Sequence, residues 1–271
     1  MKTNAIIRII IYSLVILLLV GLLLTCLGIG TFMFNIHTGG TFNEGTGSVN
    51  TDSVKNLEIN WAAGSVTIVT DANADTISFT ESGDFDDEKA MAYSVKDGTL
   101  TLDYSKPNFA IGLINTPSKD LLITVPTGWI CDQIEINGAA LKVDISGIHV
   151  SKLQLDGAAM ELEFDGSLQE LDVDGAACEL NVSTTYADLF EIDGAACELN
   201  LTISDNCGML IQTDGIACDV ESNVAFSMKN GEYLYQNGRC KVDIDGIGCQ
   251  LNIQFEPDEL LPTIPYNGEG C

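Results

Sequence analysis

The side chains with the most chemistry to offer sit in a pentad that occurs six times: Asn137-Gly-Ala-Ala-Leu141, Asp156-Gly-Ala-Ala-Met160, Asp174-Gly-Ala-Ala-Cys178, Asp193-Gly-Ala-Ala-Cys197, Asp214-Gly-Ile-Ala-Cys218 and Asp245-Gly-Ile-Gly-Cys249. If the copies stack, Asp156, Asp174, Asp193, Asp214 and Asp245 form a file of carboxylates in that order, Asp245 continuing it beyond an insertion. Unit charges about 5 Å apart repel by roughly 1 kcal/mol per neighbour in water, so solvent screens the file or a cation bridges it. Calcium accepts such oxygen ligands. The competing reading is a row of Asx turns on a solvated face, because the dense Gly-Gly-x-Gly-x-Asp pattern of calcium β-rolls is missing. Calcium is the one cofactor these acids suggest. Glu161, Glu163, Glu179, Glu198, Asp219 and Glu221 add a second acidic face.

Cys178, Cys197, Cys218 and Cys249 share the repeat position of Leu141 and Met160, which predicts a core ladder of modest apolar side chains. Disulfides and a metal site are the alternatives. Parallel stacked side chains suit a disulfide poorly, and no short paired Cys spacing or His partner marks a zinc site. Cys131, Cys207, Cys240 and Cys271 are left unassigned. For catalysis there is little: His37 falls in a linker and His149 reads as lying in a turn between coils, and no Gly-x-Ser-x-Gly, His-Glu-x-x-His or phosphate loop occurs. Acid pairs of the glycosidase kind are abundant, but coils this short leave little room for cleft-forming loops. The reading is that the protein is not an enzyme.

What positions these residues is the repeat itself. Steps between the pentad Asx residues are 19, 18, 19, 21 and 31, and alternating apolar residues flank each copy, as in Leu171-x-Val173 before and Cys178-x-Leu180-x-Val182 after. Period-two alternation is a strand signal, and a fixed period near 19 predicts an all-β parallel solenoid of about 19 residues per coil. Each coil reads as two short strands joined at a corner. Gly138, Gly157, Gly175, Gly194, Gly215 and Gly246 are expected there because glycine accepts a positive φ. The Ala-Ala that follows is expected where coils crowd, so that Ala176→Leu overpacks by about 1–3 kcal/mol. A degenerate copy at Asn60-Trp61-Ala62-Ala63 starts the array near Ser53, and residues 81–93 read as a loop excursion.

The chain carries 12 Lys+Arg against 39 Asp+Glu, a net charge of -27, which excludes a nucleic-acid binder. At 46% hydrophobic it is no disordered acidic chain. From Ile9 to Phe34 run 26 uncharged, largely aliphatic residues, long enough for a transmembrane helix. The run is too long for a signal peptide and continues well past Cys26, the point where a lipoprotein signal would end. Lys2 and Arg8 precede it, which places the N-terminus in the cytoplasm of a single-pass protein of the cell membrane. The organisation read is a cytoplasmic end (1–8), the helix (9–34), a flexible linker (35–50), an extracytoplasmic domain (51–256) and a tail (257–271).

A single membrane helix followed by Tyr93-Ser-Val-Lys-Asp-Gly-Thr-Leu-Thr-Leu102, Leu122-Ile-Thr-Val-Pro126 and stacked coils resembles the bacterial "putative adhesin" family of β-strand-repeat envelope domains, over about residues 50–255. The resemblance implies a β-solenoid on the outer face of a bacterial membrane and carries no catalytic residues. The Asp-Gly-Ala-Ala-Cys corners depart from it. The function expected is non-enzymatic binding or scaffolding in the envelope, with an envelope protein or a wall polymer as partner. The alternatives are an accessory of envelope-stress signalling, to which Gly21, Gly28 and Gly30 in the helix lend packing surface, and a calcium-dependent adhesin.

Overall fold

In a computed structural model, residues 43–84, 90–105, 117–214, 216–229 and 231–262 are described. They are all-β, in one open 16-stranded sheet, with single 3-10 turns at Thr51–Ser53 and Asp258–Leu260. Among them no helix is long and apolar enough to cross a membrane. The run 9–34, on which the membrane expectation rests, lies outside the described residues.

The longest extended stretch, here numbered β9, is Ile130–Thr184, 55 residues containing three pentads. At about 3.3 Å per residue a straight strand of that length would reach roughly 180 Å. Instead, a methyl group added at Gly157 would lie 2.4 Å from the Gly138 carbonyl oxygen, and one at Gly175 would lie 3.0 Å from that of Gly157. Successive copies therefore lie side by side. The next copy, β10 (Leu189–Ser204), continues this in parallel register, Asp193 beside Asp174 and Cys197 beside Cys178. On the other side, β3 (Asn56–Asn60) and β4 (Ala63–Asp71) pair parallel to β9, Asn60 beside Asn137 and Ile68 beside Ile145.

Both ends of the stack depart from sequence order. At the N-terminal end β7 (Thr99–Asp103) and β8 (Lys119–Pro126) lie outside β3 and β4. β6 (Ala92–Lys96) and β5 (Thr76–Gly83) cover β7 and β8 in antiparallel fashion. β1 (Asn43–Glu44) and β2 (Gly47–Asn50) extend these covers, so the last residues of the stretch read as linker are strand. The excursion read at 81–93 shrinks likewise, since 81–83 belong to β5 and 92–93 to β6.

At the C-terminal end β15 (Cys240–Gly246) and β16 (Gln250–Glu256) pair with β10 directly, Asp245 beside Asp193. β11 (Met209–Thr213) and β12 (Asp219–Ser222) lie beyond them, and the hairpin of β13 (Ser227–Lys229) and β14 (Glu232–Tyr235) covers β11. The sixth pentad is thus inserted between the fourth and the fifth. The side chains give the reason. Inward positions of the sixth copy are Val242, Ile244, Cys249, Leu251, Ile253 and Phe255, all buried. The fifth places the polar Thr213 and Ser222 in the equivalent register and suits the less enclosed outer place. Antiparallel covers at both ends shield strand edges that would otherwise invite pairing.

Among the described residues, buried apolar side chains along the whole sheet form one continuous core, running from Val54, Leu57 and Trp61 to Leu251, Ile253 and Phe255.

Candidate functional site

The pentad glycines do not serve the purpose that their residue type suggests. Positive φ occurs at Gly64, Gly128, Gly147, Gly248 and others, but not at Gly138, Gly157, Gly175, Gly194 or Gly246. Their contribution is space. A methyl added at Gly194 would meet the Gly175 carbonyl oxygen at 2.3 Å, and one at Gly246 would meet that of Gly194 at 2.1 Å. The crowding expected at Ala176 falls on the glycine instead, because Ala176 and Ala177 are exposed. Gly215 lies outside the described residues.

Stacking turns the first pentad residue into a column that runs Asp103, Asn60, Asn137, Asp156, Asp174, Asp193, Asp245 and Asp214. Asp245 lies inside Asp214, which corrects the order expected from sequence; the apolar quality of the sixth copy explains the exchange. At this end two neutral amides and the buried Asp103 are joined by hydrogen bonds: Asn137 Nδ2 donates to Asn60 Oδ1 (3.1 Å), and Asn60 Nδ2 to Asp103 Oδ1 (2.9 Å). The later members are carboxylates. Asp174, Asp193, Asp245 and Asp214 are exposed and Asp156 is half-buried. Burial, then the charge of Asp174, pushes the Asp156 carboxyl above its ordinary range; burial, then Asp245 and Asp174, does the same to Asp193. Among the described residues, no three His, Cys, Asp or Glu side chains converge as a metal cage.

The fifth pentad residue forms a second column, Leu141, Met160, Cys178, Cys197, Cys249 and Cys218, the last two exchanged relative to the sequence order. All but the half-buried Cys218 are buried, so the column joins the core. Beside it runs a groove of about 620 Å³ lined by Ala140, Ala159, Ala177 and Ala196 on one side and Glu161, Glu179 and Glu198 on the other. Lys142 enters the groove and pairs with Glu161. One position further, Glu163, Asn181, Asn200 and Asn252 make a hydrogen-bonded outward ladder, with Nδ2 to Oδ1 distances of 2.9 Å (Asn200 to Asn181) and 2.7 Å (Asn252 to Asn200).

His149 is buried in β9, its Nδ1 2.8 Å from Ser167 Oγ, and burial lowers its pKa. No turn exposes it. Cys131, Cys207 and Cys240 are buried as well. Burial pushes the Cys131 thiol up to about 12.

One polar cluster was missed in the sequence. Lys119 is fully buried beneath the N-terminal cover, its Nζ 2.6 Å from Glu81 Oε2 and 4.1 Å from the Tyr104 ring centre. Glu81 Oε1 accepts from the Met91 backbone N–H (2.8 Å), and Trp61 Nε1 donates to the Lys119 carbonyl (2.9 Å). Burial lowers the Lys119 pKa against the pull of Glu81 and raises Tyr104 to about 12. The signal was present: Lys119 leads Leu121, Ile123 and Val125 on the inward period of β8.

No family model matches the chain, and no curated protein does. Solved structures with a similar course include a "putative cell adhesion protein" from Clostridium sporogenes, 17% identical over 80% of this chain and 100% of that one, with a TM-score of 0.46. A "putative adhesin" from Bacteroides fragilis is 11% identical over 80% and 98% of the two chains, with a TM-score of 0.45. A "putative lipid binding protein" from Parabacteroides distasonis is 13% identical over 78% and 96%, with a TM-score of 0.32.

Proposed function

We propose that this protein is a non-enzymatic binding or scaffold module of the cell envelope. In this reading residues 9–34 anchor it in the membrane, the N-terminus is cytoplasmic, and the β domain is an extracytoplasmic parallel solenoid. The single observation that carries the binding role is the groove along the Ala and Glu columns. Its lining repeats once per coil, about 4.8 Å apart. Such a face offers the same contact several times over to a linear partner, and summed weak contacts give avidity without a deep pocket. With Glu161 already paired to Lys142, its acids Glu179 and Glu198 favour a partner that carries positive charge, such as a wall polymer with amino substituents or a basic segment of an envelope protein.

In-cell cross-linking of the tagged full-length chain, with membrane proteins and wall polymer analysed separately, tests this. Retention in the wall-polymer fraction that survives exchange of residues 9–34 for an unrelated helix, and is lost in Glu179→Lys/Glu198→Lys, is the expected result. A discrete membrane-protein partner lost on helix exchange would replace this reading with the signalling accessory. A melting temperature raised by millimolar calcium, and no longer raised in Asp174→Asn/Asp193→Asn, would favour the calcium-dependent adhesin.

A further inference from the structure

Beneath the groove, sulfur atoms occupy one equivalent place in coil after coil. A methyl added at Gly157 would lie 2.6 Å from Met160 Sδ; at Gly175, 2.4 Å from Cys178 Sγ; at Gly194, 2.3 Å from Cys197 Sγ; and at Gly246, 2.6 Å from Cys249 Sγ. Each sulfur therefore folds back over the glycine of its own pentad. Cys197, Cys249 and Cys218 then aim Sγ at the glycine carbonyl of the neighbouring coil, at 3.9, 3.8 and 3.9 Å. Strand register sets the order Met160, Cys178, Cys197, Cys249, Cys218, one thioether followed by four thiols. Cysteines far apart in sequence become a continuous row.

We propose that this row binds a soft monovalent cation of the copper(I) or silver(I) class, with Cys178 and Cys197 as the central pair. Ligand number separates the metals. Structural zinc takes four ligands and calcium six to eight oxygens, whereas no three candidate ligands converge among the described residues. Copper(I) is selected by thiolate and thioether sulfur, and the row supplies both. Two metal–sulfur bonds of about 2.3 Å laid end to end span the ~4.8 Å between neighbouring strands. Access is from the groove, whose floor Cys178 and Cys197 line although they are only 5% and 4% exposed. Glu179 and Glu198 at its rim draw cations in.

The protons balance simply. Each thiol that binds releases its proton to solvent, and no electron is transferred.

The test uses the full-length chain in detergent, reduced and oxygen-free, offered copper(I) in competition with bicinchoninate, with bound metal measured by mass spectrometry after desalting. At least one copper(I) retained per chain is expected, with affinity falling about tenfold or more in Cys178→Ser/Cys197→Ser and less in Met160→Leu. Protection of Cys178 and Cys197 from maleimide by copper(I) in the unmutated chain provides a reading independent of how the variants fold. No retention, retention unchanged in the double variant, equal retention of zinc(II), or maleimide labelling unaffected by copper(I) would each overturn the proposal.

Discussion

The two ends of the corner column occupy one structural position with opposite chemistry. Toward the N-terminus, Asn137, Asn60 and Asp103 pass hydrogen bonds from strand to strand, and a deeply buried cation nearby, Lys119, is matched by Glu81. Toward the C-terminus the same position holds Asp156, Asp174, Asp193, Asp245 and Asp214, which can only accept. An amide has a donor for one neighbour and an acceptor for the other, so stacking satisfies it. A carboxylate stacked on its like relies on water, and these carboxylates lie mostly exposed. A parallel in-register stack multiplies whatever side chain it is given, favourably or not.

The largest effect is expected at the partnered end. Glu81→Ala would leave Lys119 buried without its carboxylate and should destabilise by about 3–5 kcal/mol in urea unfolding. The next tests the close approach on which both ends depend: Gly194→Ala should cost about 1–3 kcal/mol, because the Gly175 carbonyl oxygen stands 2.3 Å away beside the equally close Cys197 Sγ, and the backbone atom cannot swing clear as the thiol can. Its exposed neighbour supplies the contrast, with Ala195→Leu expected to stay within about 0.5 kcal/mol. Converting the amide end to the acidic kind, Asn137→Asp, removes the bond to Asn60 and should cost about 1 kcal/mol.

The reverse change is the subtlest. Asp156→Asn extends the amide ladder and should add about 0.5–1 kcal/mol at pH 7. The folded pKa of Asp156 is raised above its unfolded value, so the carboxylate weakens the fold as pH rises through that folded pKa. The advantage of the variant over the unmutated protein should therefore be full at neutral pH and shrink as pH falls through the raised pKa. A gain that is constant from pH 7 to pH 4 would assign it to packing.

Much of this was legible in the sequence, because a stack converts sequence period directly into spatial neighbours. The strands, the inward alternation and the membership of both columns follow from positions such as Leu171, Val173, Cys178 and Leu180. The order of the last two copies was not, since linear spacing assumes that each coil lands on the one before. Thr213 and Ser222, polar at inward positions, were the available hint that the fifth copy belongs outside. At Gly138, Gly157, Gly175, Gly194 and Gly246 the expected positive φ does not occur, since residue type alone does not separate a need for positive φ from a need for space. Lys119 was overlooked because a single charge on an apolar period reads as surface until Glu81, distant in sequence, closes over it.

The central claim is that the repeats pair in parallel register with the sixth copy seated on the fourth. Histidine pairs on the outward ladder test it most directly, because two imidazoles on adjacent in-register strands chelate nickel(II), whereas two strands apart, about 9.6 Å, they do not. Asn200 and Asn252 are register partners, and Glu221 lies beyond Asn252. With the unmutated chain as baseline, nickel(II) should raise the melting temperature of Asn200→His/Asn252→His and leave that of Asn200→His/Glu221→His unchanged. The opposite pattern would place the fifth copy on the fourth, in sequence order, and contradict the account.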